Sequence, residues 1–91
     1  MEVTEILGVT VTAPTATGTA VTVSGATYVM LFNSAASTNY AVAIQTAADG
    51  TTLSNVTLAG GERIIIRKDP DHVIYAANAA IMLTPVNPRV R

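Results

Sequence analysis

Cysteine and tryptophan are absent from this sequence, and histidine and phenylalanine each occur once. Without cysteine, disulfides and thiolate metal sites are excluded, so a short chain must find its stability elsewhere. Charge is scarce as well: Asp, Glu, Lys and Arg make up 12% of the residues, where a soluble domain usually carries about a quarter. No charged residue occurs from Ile6 to Ala48. A free monomer uses mixed charges to stay soluble and to keep its sheet edges apart. Their scarcity therefore points to surface that other protein covers, unless Thr, Ser and Asn supply the polarity alone.

A single lysine and a net charge of −1 leave out the electrostatic footprint of a nucleic-acid binder. Long apolar runs are missing too. Stretches such as Tyr28 to Phe32 are five residues long, far short of the ~20 that a helical membrane crossing needs. The start Met1-Glu2-Val3-Thr4-Glu5 is acidic and is not a positively charged leader before an apolar segment, so assembly in a cytoplasm is the expected setting.

The 91 residues are enough for a single domain with one core. A chain of this size buries roughly 60 to 65% of its unfolded surface, which leaves oligomerisation as the remaining support. Apolar residues recur at spacing two in short runs closed by turn formers, the pattern of strands. Val9 and Val11 alternate with Thr10 and Thr12, and Val21 and Val23 alternate with Thr22. Tyr28 to Phe32 is followed by a polar loop from Asn33 to Asn39, and Tyr40, Val42 and Ile44 share one face.

Asp49-Gly50 marks a hairpin turn. Beyond it, Leu53 and Val56 are three apart, which breaks the period of two and predicts a bulge near Ser54-Asn55. Gly60-Gly61 reads as a hairpin turn into Glu62 to Lys68, and Asp69-Pro70-Asp71 turns the chain into Val73 to Ala76. Ile81 to Thr84 is the last strand. The Ala-rich stretch from Ala76 to Ala80 has room for one short helical turn. These runs predict an all-β fold: a small antiparallel β-sandwich of about eight short strands, with a barrel as the alternative. Residues 1–91 form a single β domain, and residues 85–91, with two prolines and two arginines, are expected as an extended C-terminal arm.

Little chemistry is on offer. His72 follows Asp69-Pro70-Asp71, and these residues make better sense as a turn than as a metal site. Gly60-Gly61 lacks the Lys and Ser/Thr of a phosphate-cradling loop, and the acidic residues show no diagnostic pairing. Asn55-Val56-Thr57 matches a glycosylation acceptor but follows no secretion signal. No catalytic, cofactor or metal residue is assigned, and the chain is read as a non-enzyme. Phe32 and Tyr75 are expected in the core. The rival reading is a ligand-binding β module of a larger complex, for example a carbohydrate-recognising one; the scarcity of aromatics counts against it, and a row of exposed tyrosines beside a groove would favour it.

Glu62 to Lys68 is the most informative stretch. As a strand it points Ile64 and Ile66 inward, with Arg63, Ile65 and Arg67 outward. An apolar anchor between two arginines is an interface arrangement, although a lone exposed isoleucine is also ordinary. Val29 and Leu31 lie opposite Tyr28, Met30 and Phe32, and one of those faces is expected to meet a partner. The candidate interface residues are Arg63, Ile65, Arg67, Val29 and Leu31.

The order Tyr28-Val29-Met30-Leu31-Phe32-Asn33, Ala43-Ile44-Gln45 with Asp49-Gly50, Leu58-Ala59-Gly60-Gly61-Glu62 with Ile64-Ile65-Ile66, and Val73-Ile74-Tyr75-Ala76 before Leu83-Thr84-Pro85-Val86 resembles small virion structural proteins of tailed phages, especially those infecting marine bacteria. The resemblance covers residues 28 to 86 and rests on turns and strand cores. It implies a non-enzymatic capsid decoration or cement protein, or else a neck or tail component. Its expected partners are further copies of itself, with trimers typical of decoration proteins, and a major capsid or other virion protein. It would reside in the virion, assembled in the host cytoplasm. No residue-level site is carried over.

Overall fold

The computed structural model describes the backbone of residues 2–90 and the side chains of residues 5–16 and 18–87. Eight strands follow one another: β1 (Glu2–Ile6), β2 (Val11–Thr12), β3 (Tyr28–Asn33), β4 (Tyr40–Gln45), β5 (Thr52–Leu58), β6 (Arg63–Arg67), β7 (Val73–Ala76) and β8 (Ile81–Val90). Among the described residues the only helical element is a 3-10 turn at Thr17–Thr19, and within the stretch Ala76 to Ala80 the chain leaves β7 at Ala76 and makes bends and a turn instead of a helix. One antiparallel sheet runs β1-β8-β3-β6, with β2 also on β8, and the other runs β5-β4-β7. The all-β expectation holds, as two stacked sheets and not as a closed barrel.

The inner faces make the core. Val29 and Leu31 on β3 and Ile81 and Leu83 on β8 meet Val42 on β4, Leu58 on β5 and Ile74 and Ala76 on β7. Ile64 and Ile66 pack against that cluster from β6 while Arg63, Ile65 and Arg67 are exposed, so the alternation read from the sequence is the one the strand adopts. The folded surface of 4963 Å² against ~13,600 Å² for an unfolded chain of this mass means that ~64% is buried. A compact monomer of 9.4 kDa exposes ~5,000 Å², so what distinguishes this surface is its quality, not its extent.

Only β4 and β5 are joined as a hairpin within one sheet; the other links from β3 onward cross between sheets. At the hairpin Asp49 takes a φ of 56°, and a Cβ at Gly50 would lie 2.6 Å from Thr46 Oγ1, so the Asp-Gly pair is required there. Gln45 pairs with Thr52 and Ile44 with Ser54, which makes Leu53 the bulged residue, one position before the predicted site. The Gly60-Gly61 turn is not a hairpin. It carries the chain from β5 across to β6, and a Cβ on Gly60 would meet the Ser37 backbone at 2.8 Å. Asn33, fully buried, ties this corner together: Nδ2 donates to the carbonyls of Thr38 (2.8 Å) and Leu58 (3.0 Å), and Oδ1 accepts from the Ala35 amide.

Two stretches depart from the sequence reading. Val21 to Val23 is not a strand; Val21 makes an isolated bridge to Ile74, and Val23, Ser24 and Gly25 then turn left-handed with φ of 57°, 59° and 68°. That conformation is costly for a β-branched residue, and burial of the Val23 side chain opposes the cost. The acidic start, which gave no strand signal, is β1. It pairs with the end of β8 from Glu2↔Val90 to Ile6↔Val86, so the expected arm is extended but sealed against its own chain through Val90. Arg91 lies outside the described residues.

The prolines of β8 sit where one of its flanks is left unpaired. On β8 the odd-numbered residues bond toward β1, as the Leu7 amide to the Pro85 carbonyl (2.9 Å) shows. Pro85 cannot return a donor, and between Ile6 and Val11 the pairing on this side lapses. Pro88 lies past the last β3 partner, Tyr28↔Val86, where its missing amide blunts an open flank.

Candidate interaction face

The register of three strands builds one outer face. Tyr28 sits between Arg67 and Val86, Met30 between Ile65 and Thr84, and Phe32 between Arg63 and Met82. At the β1 and β2 edge Ile6 lies opposite Val86 and Thr12 opposite Met82, and Thr10 Oγ1 is 2.6 Å from Thr84 Oγ1. The Arg63 guanidinium carbon stands 4.7 Å from the Phe32 ring centroid, a cation–π geometry that holds the arginine flat along the face. A shallow concavity of about 390 Å³ runs between Ile6, Met30, Phe32, Arg63 and Met82.

Ile65 is 38% exposed and stands between the two arginines, so the structure brings Arg63, Ile65 and Arg67 together as expected. Val29 and Leu31 are corrected: both are 0% exposed in the core and offer nothing to a partner. Their strand contributes its other face, Tyr28, Met30 and Phe32. Phe32 is corrected with them, because it is half-buried on this outer face, and Tyr75 is half-buried outside the core cluster. The sequence did not single out Met82 or Ile6, the latter 57% exposed. Met82 alternates with the buried Ile81 and Leu83, a signal that was available; Ile6 required knowledge of β1.

A second concavity, of about 430 Å³, lies between Val9, Val11, Val21 and Pro85 with Thr12, Thr22 and Ser24. Val9 is 79% exposed there, because only Val11–Thr12 of that run pairs with β8. Its polar side chains are the hydroxyls of Thr12, Thr22 and Ser24. A third, of about 170 Å³, opens between the edges of β5 and β6 onto Leu31, Val42, Ile44 and Ile66.

Asp69 to His72 forms a turn closed by the His72 amide on the Asp69 carbonyl (3.0 Å). The ligand atoms of Asp69, Asp71 and His72 come within 4.8 Å of one another, and His72 Nε2 is 3.5 Å from Asp69 Oδ2. Beneath this turn Lys68, 5% exposed, donates from Nζ to the carbonyls of Ala26 (2.7 Å), Asp69 (3.2 Å) and Pro70 (3.5 Å). Burial lowers its pKa, against the pull of Asp71 and Asp69. A cation is thus already built into the turn as its clasp, joining it to Ala26 just past the left-handed stretch, and a turn remains the better account than a metal site.

Tyr28 lies on the outer face of the five-stranded sheet, Tyr75 on that of the three-stranded sheet, and Tyr40 packs against the core. The tyrosines therefore form no row of the kind a carbohydrate site would use. Compared with family models, curated proteins and solved structures, the chain matches none.

Proposed function

We propose that this chain is a non-enzymatic structural protein that packs the outer face of its five-stranded sheet against other protein, as a decoration or cement protein on the capsid of a tailed phage. The observation that carries the packing is the row of Met30, Phe32, Ile65 and Met82 flanked by Arg63 and Arg67, in a chain with 12% charged residues. Methionine, aromatics and arginine are the types enriched where proteins meet. The particle itself is drawn from the likeness of residues 28 to 86 to small virion proteins. Its partners on this reading are further copies and the major capsid protein, and many weak contacts repeated over a shell hold it in place. A neck or tail position is the alternative location.

Mass spectrometry of purified particles from the source, joined to co-sedimentation of the chain with capsids that lack it, tests the reading. The chain is expected in the particle at a high copy number, and Ile65→Lys is expected to abolish co-sedimentation while leaving the domain folded. Its absence from particles, with no capsid binding, overturns the assignment.

A further inference from the structure

β1 and β6 are the two opposite edges of the five-stranded sheet, and their free backbone groups match. The Lys68 amide donates to the Thr27 carbonyl (2.8 Å) and the Asn33 amide to Glu62 (3.0 Å). By antiparallel alternation Ile64 and Ile66 bond to β3, so Arg63, Ile65 and Arg67 turn their amides and carbonyls to the open edge. On β1 the Leu7–Pro85 bond puts Val3 and Glu5 in the bonded pairs with β8, so the amides and carbonyls of Glu2, Thr4 and Ile6 face outward. Each edge thus offers three residues' worth of unpaired groups at the same spacing.

We propose that copies of this chain join head to tail, the β6 edge of one pairing with the β1 edge of the next, so that the five-stranded sheet runs on between subunits. Directions agree, because β1, β8, β3 and β6 each reverse the one before. A copy laid alongside with its outer face on the same side therefore presents β1 antiparallel to β6. The register that joins all three positions sets Ile6 opposite Arg63, Thr4 opposite Ile65 and Glu2 opposite Arg67.

Charge selects this union over the symmetric one. Two β6 edges centred on Ile65 would set Arg63 against Arg67 twice, and like charges directly opposite destabilise a sheet. In the mixed union no two arginines meet, and Glu2 falls opposite Arg67. Ile6 and Ile65, the exposed isoleucines at opposite edges of this face, become diagonal neighbours across the joint. Such a contact is heterologous, so it closes into a ring or continues as a fibre according to the twist between subunits. It deepens the self-contact in the reading above but stands on the sheet edges alone, and its test reads mass in solution without any particle.

The test is sedimentation of the full chain and two edge-blocked variants. Wild type is expected to grow in mass with concentration. Thr4→Pro removes an amide that serves only the open β1 edge, and Ile65→Pro with Arg67→Glu blocks β6; each variant alone is expected to remain monomeric, and their equimolar mixture to stop at a dimer. Because proline can disturb folding, a charge pair repeats the test: Glu2→Lys is expected to weaken association about tenfold, and adding Arg67→Glu to restore it. A monomeric wild type, a folded Thr4→Pro variant of wild-type mass, or a charge pair that fails to restore association overturns the proposal.

Discussion

The two sheets bury similar inner faces and expose opposite outer ones. On the three-stranded sheet the outward residues include Ala41, Ala43, Asn55, Thr57 and Tyr75, small or polar except for one ring, and an exposed large aliphatic, Leu53, sits at the bulge near its end. On the five-stranded sheet they are Tyr28, Met30, Phe32, Ile65 and Met82 with two arginines. Core formation requires neither set, since both point away from the interior. Water alone would favour the first kind of surface on both sides, and the proposed protein contact accounts for the second.

That contrast is sharpest when core, clasp and faces are altered separately. Leu31→Ala, just beneath the apolar face, is expected to cost about 2 to 5 kcal/mol in chemical unfolding, because it opens a cavity in the core. Lys68→Ala comes next, at about 1 to 3 kcal/mol, since it strips the donor from the carbonyls of Ala26, Asp69 and Pro70. Ile65→Lys should stay within about 0.5 kcal/mol of wild-type stability yet lose self-association by light scattering. Thr57→Lys, its counterpart on the other sheet, should change neither. Equal losses of association from Ile65→Lys and Thr57→Lys would break the contrast.

The smallest effect is in pH. Burial holds the Lys68 pKa below its ordinary 10.5, so the native chain releases this proton before the unfolded chain does. The stability linked to it therefore grows as pH rises through the lowered native value toward 10.5 and is absent below that window. Denaturant midpoints taken on the alkaline side should show that rise in wild type and lose it in Lys68→Met.

Much of this was legible in the sequence, and the failures have physical causes. Strands with large side chains on a strict alternation, such as Arg63 to Arg67, declare both their existence and their two faces. Alternation does not say which face is inside when both are apolar, so Val29 and Leu31 were not separable from Met30 and Phe32 until the opposite sheet was in place. Short valine runs misled: Val21 to Val23 has strand composition, but its place in the fold is a left-handed turn. β1 was invisible because Glu2 to Ile6 has too little apolar periodicity, and its partner is at the far end of the chain. Gly60-Gly61 was rightly a turn, but local sequence does not encode whether a turn stays in its sheet. The apolar face emerged only when the register set β3, β6 and β8 side by side.

The absence of cysteine allows one introduced thiol to report each face. Ile65→Cys and Thr57→Cys should react with a thiol reagent at similar rates in dilute protein. In concentrated protein, or with capsids added, the thiol at position 65 is expected to become protected while the one at 57 keeps its rate. Undiminished labelling at position 65 under both conditions would contradict the assignment of that face to protein contact.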